Sequence, residues 1–266
     1  MDLQRIGSIF VRQLYIMTSN KTRIVSVFYW SILDLLLWGF ITLYLNGVTD
    51  PGFSFVTTIL GAVILWNFFI RIQQGVTIAF LEDVWTRNFI NLFTSPLSIA
   101  EYITGNVLIG IVQSFACLTV LLVLASAFFA FNIFAVGILL IPSIAILFIF
   151  GVAIGIATTA LVFKLGPPGE WFAWSIPFLF TPISAVFYPV SALPAWLQPV
   201  AAISPPAYVF EGMRGVLLNG TLDWTQVMLG IAVALVYLVI ASLFLWRVYR
   251  SVLRTGSLAR FSAEIG

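Results

Sequence analysis

Apolar positions in this chain come in long runs rather than in alternation. Residues 24 to 45 and about 53 to 75 carry few charges, and a turn from Asn46-Gly47 to Asp50-Pro51-Gly52 separates them. From Tyr102 to Phe163 no charged residue occurs at all. As one helix rising about 1.5 Å per residue, that stretch would be about three bilayer thicknesses long, so it must fold back. Asn132 is the only polar break with turn character near its middle, which predicts two helices, about 104 to 130 and 134 to 163. Two more apolar spans follow, about 171 to 189 and 226 to 247. The pattern predicts an all-α integral membrane protein with six transmembrane helices, forming a single transmembrane domain over residues 1–266.

Ahead of the first span, Leu3, Ile6, Phe10, Leu14 and Met17 recur at spacings of three and four, with Arg5, Ser8 and Arg12 on another face. This predicts an interfacial amphipathic helix over residues 1–22. Two roles stay open for it: lying on the membrane, or forming a collar that also touches a cytoplasmic partner. The first span does not read as a cleaved signal peptide, because it ends in Tyr44-Leu45-Asn46-Gly47 rather than at a small-residue cleavage site.

Composition narrows the chemistry. At 61% hydrophobic and 8% charged residues, with a mean hydropathy of +1.10, the chain lies outside soluble composition. There is no histidine, and Cys117 is the single cysteine. That excludes a disulfide framework, a Ser-His-Asp or Cys-His site and the usual metal ligands. Lys21 and Lys164 are the only lysines, and neither follows a glycine-rich turn, so the chain holds no nucleotide by the P-loop route. The expectation is a protein that is not an enzyme and has no cofactor or metal of its own. A net charge of +2 gives no footprint for a nucleic acid. The placement of charge is more informative: under the six-span reading every Lys and Arg except Arg214 falls on one side, which sets both termini in the cytoplasm.

The stretch from Arg71 to Glu101 is the one long polar interruption on that side. Pro96 ends the helix before it, and Ser98 with Glu101 reads as a capping box for the next. Between them the sequence predicts a short amphipathic helix, apolar at Phe89, Leu92 and Phe93 and polar at Glu82, Asp83, Arg87 and Asn91. Near the other end, residues 189–224 contain Pro189, Pro194, Pro199, Pro205 and Pro206 amid Trp, Leu, Val and Phe. Such a segment is too broken to span and too apolar for a free loop, and it reads as a re-entrant outer hairpin between spans five and six. A loop packed flat on the outer surface is the competing reading. Glu211 and Arg214, three apart, can pair on one helical face.

Two motifs carry a resemblance. Leu92-x-x-Ser95-Pro96-Leu97-Ser98-x-x-Glu101-Tyr102 resembles the cytoplasmic loop of type-2 (exporter-type) ABC transporter permeases. Phe187-Tyr188-Pro189-Val190-Ser191-x-Leu193-Pro194-x-Trp196-Leu197-Gln198, followed by Ile203-Ser204-Pro205 and Glu211-x-x-Arg214, resembles their segment between the fifth and sixth spans. The departure is Asp83-Val84-Trp85, where many members have a Glu-Arg-Gly-Thr-like run. The resemblance implies a multi-pass permease subunit of the bacterial cytoplasmic (inner) membrane that works as a dimer, normally a homodimer. It would pair with two separate ABC ATPase subunits that hold ATP and Mg, and move its substrate outward. It also implies that the region 80–98, with Glu82, Asp83, Arg87, Phe89, Leu92, Phe93, Ser95 and Pro96, couples to the ATPase; a solvated loop helix is the plainer alternative. At the outer mouth it places Pro189, Pro194, Trp196, Glu211 and Arg214.

Inside the spans, Asp34 sits mid-helix, where a carboxylate must face protein or water. A structural pair with Arg71 is the first expectation, and a place on the substrate path is the second. Trp38, Trp66, Phe178, Phe180, Phe187 and Tyr188 either line a path or face membrane lipid. The suggested cargo is a polysaccharide, a lipo-oligosaccharide or a hydrophobic compound, since sugar faces stack on rings. Gly151-x-x-x-Gly155 permits close helix approach, within one bundle or across a dimer. The rival is a secondary transporter or channel without an ATPase, which would need intramembrane ion sites and usually internal repeats. Neither a repeat nor a cluster of buried acids is found.

Overall fold

The computed structural model describes residues 1–48, 56–86, 88, 91–92 and 95–255. The described chain is helical throughout its ordered elements. Helix α1, Leu3–Ser19, is capped by the Asp2 carboxylate, which accepts from the Gln4 amide at 2.9 Å. Helix α2 is Lys21–Val48, and a π-helical turn, Val56–Leu60, leads into α3, Gly61–Trp85. Helix α4 is Ile99–Phe129, and it is followed by a 3-10 segment, Ile133–Leu139, and by α5, Leu140–Leu165. Then come α6, Glu170–Phe180; α7, Gln198–Ala202; α8, Pro205–Asn219; and α9, Trp224–Thr255.

Among the described residues, five stretches are long and apolar enough to cross a membrane: Lys21–Val48, Val56–Trp85, Ile99–Phe129, Ile133–Leu165 and Trp224–Thr255. This is a multi-pass membrane protein. The fold back expected at Asn132 is present: Ala130 takes a left-handed conformation (φ 49°) and Asn132 caps the next segment by accepting from the Phe134 amide at 3.0 Å.

The expected fifth span, 171 to 189, is not one long helix. Only Glu170–Phe180 is α-helical, a length of about 16 Å, half of a hydrocarbon core. Pro177 lies inside it, and Pro182 follows it without an N–H to donate back to Phe178. Residues 181–188 run on as turns and bends, with Ala185 at a φ of 54°.

Helix α3 is the axis of the bundle. Of its most apolar stretch 83% is buried, against 17% for α2. The neighbours reach it through glycines. A Cβ added to Gly75 would stand 2.4 Å from the Gly110 Cα, so α3 and α4 touch backbone to backbone. On α5, a Cβ at Gly151 would meet Ile72 at 2.8 Å and one at Gly155 would meet Val76 at 2.8 Å. The Gly151-x-x-x-Gly155 motif therefore seats α5 on α3 within one subunit. Helix α9 packs along α5 on the far side. The N-terminal helix is docked rather than free: Ile6, Ile9 and Gln13 are buried, and Ile9 fills the notch at Gly105 of α4. Helix α2 buries only the narrow stripe Ser31, Leu35, Gly39 and Thr42. Its partial detachment from α3 opens the space that forms the candidate site.

Candidate functional site

Between α2 and the face of α3 lies a partly open cavity of about 670 Å³, lined also by α1, α4, α6 and the turns after α6. Along α3 it extends from Trp66 to Glu82, about 24 Å of helical rise. A slot of that length covers most of a hydrocarbon core of about 30 Å. Its polarity is graded. The end beside α1 carries Gln13 and the Arg23–Glu82 ion pair at 2.8 Å; further along lie Asp34, Asn67 and Arg71; the opposite end is walled by Trp38, Trp66 and Phe187. Trp38 and Phe187 stack with centroids 4.3 Å apart, joining α2 to the turns beyond α6.

Of the residues proposed for a path, Asp34, Trp38, Trp66, Phe178 and Phe187 line this cavity. Phe180 and Tyr188 do not. Phe180 packs into a ring cluster with Phe150 and Tyr237, at centroid distances of 5.1 and 6.4 Å, and the Tyr188 hydroxyl donates to the Pro182 carbonyl at 2.8 Å. Sequence reasoning missed Asn67, Arg71, Trp30 and Trp174 as lining groups. Their signal was available in part, since two polar residues four apart in an apolar helix share one face.

The expected Asp34–Arg71 pair is absent. Asp34 Oδ2 accepts instead from Asn67 Nδ2 at 2.8 Å, and that amide also donates to the Val63 carbonyl at 3.0 Å. Arg71 sits one turn further along α3, 8% exposed, with its Nε buried and unbonded. The helix explains the error: α3 continues to Trp85 instead of ending near residue 75, so Arg71 lies at the middle of the apolar stretch Val56–Trp85 and not near its end.

At the α1 end of the cavity, the acidic residues expected to serve coupling are engaged within the chain. Asp83 is fully buried; Arg12 of α1 donates to both of its oxygens, one at 3.1 Å, and the Tyr102 hydroxyl donates at 2.7 Å. The bond to Asp83 raises the pKa of the Arg12 guanidinium above its ordinary value, outweighing burial, which lowers it. Glu101 completes the capping box read from sequence: Ser98 Oγ accepts from its amide at 3.3 Å, and its carboxylate accepts from the Ser98 amide at 2.9 Å. It also accepts from the Asp2 amide at 2.7 Å, while Arg5 donates to the Pro96 carbonyl. Thus α1 is tied to the ends of α3 and α4 by ions on both sides of the loop. Glu82 to Ser95 is not a single helix: Glu82 and Asp83 belong to the last turn of α3, closed at Thr86, and a separate turn follows, in which the Leu92 amide donates to the Asn88 carbonyl at 3.2 Å. Leu92 is half-buried, and Ser95 and Pro96 are exposed. Arg87, Phe89 and Phe93 lie outside the described residues.

Comparison with known families supplies the identity that this geometry leaves open. A family profile described as ABC-2 type transporter matches residues 7–218. The chain belongs to the ABC-2 type transporter family. Comparison with curated proteins returns no match. Family membership makes this chain a membrane transport component rather than a catalyst, and it implies association with ABC ATPase subunits.

In this ABC-2 permease the proline-rich segment before α9 is organised around Glu211 and Arg214. Glu211 Oε1 accepts from the Val190 amide at 2.7 Å and from Arg214 Nη2 at 3.1 Å; Arg214 Nη2 also donates to the Ala185 carbonyl at 2.6 Å. The expected pair therefore exists, and it clamps residues 185–190 to α8. Ser184 and Ser204 hydroxyls, 2.9 Å apart and buried, make a second tie. Pro189 starts the short 3-10 turn Val190–Ala192, and the Pro194 carbonyl accepts from the Leu197 amide at 2.8 Å. Trp196 is 74% exposed at the tip.

Proposed function

We propose that this permease is the membrane subunit of an ATP-driven exporter, working as a homodimer with two separate ATPase subunits in a bacterial inner membrane. The observation that carries the reading is the graded cavity along α3 in a chain of the ABC-2 family. A slot with an ion pair at one end, Asp34, Asn67 and Arg71 further along and indole walls suits an amphiphile taken up at the cytoplasmic side. A lipo-oligosaccharide, polysaccharide or hydrophobic compound fits that description, because indole faces accept both sugar rings and apolar chains.

Six crossings remain the proposed topology. Helix α6 starts at the inner end, where Trp85 Nε1 donates to Glu170 Oε2 at 3.0 Å, and the turns at 181–188 carry the chain on to Val190, which Glu211 of α8 holds. A half-helix completed by turns supplies the fifth crossing. This is permitted because it is packed against α3 and α5 rather than exposed to lipid on all sides. Residues 189–224 then form the re-entrant outer hairpin, and both termini are cytoplasmic.

Coupling is assigned to the loop from Thr86 to Pro96, with Leu92 and Phe93 as apolar anchors in a groove of the ATPase. Glu82 and Asp83 contribute indirectly, by fixing the helix that carries the loop. The test is a Leu92→Asp/Phe93→Asp variant expressed with its ATPase. It should insert and fold, yet lose ATPase co-purification and transport together. Retention of both would remove this loop from the mechanism.

A further inference from the structure

Arg71 stands at the middle of the membrane-spanning stretch Val56–Trp85, 8% exposed, and makes no hydrogen bond or ion pair among the described residues. A buried guanidinium at bilayer depth without a counter-ion is among the costliest arrangements a membrane helix can hold, and such residues mark functional sites. Among the described residues two carboxylates line the same cavity, and both are already engaged: Asp34 with Asn67, and Glu82 with Arg23. The cation therefore faces about 670 Å³ of space with no partner in it. The surrounding indoles of Trp30, Trp38, Trp66 and Trp174 are apolar walls.

We infer that Arg71 is the binding residue for the phosphate or carboxylate group of an amphiphile, whose ring or chain portion lies against those indoles. The planar guanidinium fork matches both anions, and charge-assisted bonds strengthen in a dry site. A cavity of this volume takes a ligand of drug size. Asp34 fits the same picture: already accepting from Asn67, it has room for a hydroxyl donor from the ligand but would repel a second anion, so the anionic end must lie toward Arg71. The inference rests on the transport reading above and adds to it the charge of the cargo or lipid that the cleft accepts.

The experiment uses the full-length chain with its ATPase, in nanodiscs of phosphatidylcholine. Octyl phosphate and octyl glucoside are titrated separately and followed by tryptophan emission. Arg71→Gln should weaken octyl phosphate by about 10- to 100-fold, as expected for a lost charge-assisted bond. Octyl glucoside binding should be unchanged, which reports an intact cleft. Arg71→Lys should keep a larger share of octyl phosphate affinity than Arg71→Gln. Repeating the titration in discs containing phosphatidylglycerol separates the sources. Competition seen in the wild type and not in Arg71→Gln assigns the site to an anionic lipid headgroup; absence of competition assigns it to a soluble amphiphile. Equal octyl phosphate affinity in wild type and Arg71→Gln overturns the inference, as does an Arg71→Lys as weak as Arg71→Gln. Loss of the ATPase from the wild-type preparation would instead count against the transporter reading and leave the anion site standing.

Discussion

Replacing Arg12 by methionine isolates the contact that holds the N-terminal helix to the bundle. Methionine keeps most of the apolar stem of arginine and removes only the guanidinium, so the change acts on the bond to Asp83. Asp83 has no solvent exposure and receives two donors from Arg12 and one from Tyr102. Removing one partner of a buried pair typically costs about 3–5 kcal/mol, because the remaining charge is left uncompensated. Here the Arg12 side chain is 27% exposed, so water screens part of the interaction and a smaller cost applies, about 2–3 kcal/mol. At about 2–4 °C per kcal/mol for a chain somewhat smaller than this one, thermal unfolding should fall by about 5–10 °C. The assay is tryptophan emission against temperature in matched nanodiscs. Adding Asp83→Asn to Arg12→Met should recover more than half of the loss, since the orphaned charge disappears while Tyr102 retains an acceptor. A double variant as unstable as Arg12→Met, or a single variant indistinguishable from wild type, would refute the buried-pair account.

Gly75→Ala should be among the most damaging single substitutions outside the cavity, costing several times the loss of a typical contact. Its methyl would lie 2.4 Å from backbone on α4 that cannot yield without separating the helices, and recovery of folded monodisperse protein in gel filtration reads the outcome. Asp34→Asn should be tolerated, because the oxygen of the substituted amide can still accept from Asn67, whereas Asn67→Leu removes that donor from the carboxylate and should cost about 1–3 kcal/mol in the same thermal assay; equal effects of the two changes would overturn the Asp34–Asn67 bond as a stabilising contact.

The class of this protein was already written in its apolar runs, because burying a backbone in lipid demands helices, and helices of that length need unbroken apolar sequence. The same local logic fixed the reversal at Asn132, the capping box at Ser98 and Glu101, and the pairing of Glu211 with Arg214, whose partners lie within one helical turn. Residue type and a short spacing decide such features. Packing in three dimensions settled the partners that lie far apart in the chain. Asp83 was legible as a charge in a polar loop, yet α3 runs on past residue 75 and places it inside the fold, 71 positions from the arginine that binds it. Asp34 had two polar neighbours on offer, Asn67 and Arg71, and only the rotation of α3 about its axis selected the amide and left the guanidinium facing a cavity. The fifth apolar run met every test of length and hydropathy. Where it stops being helix was set by Pro182 and the clamp from α8, because turns packed against the bundle can satisfy their backbone without remaining a helix.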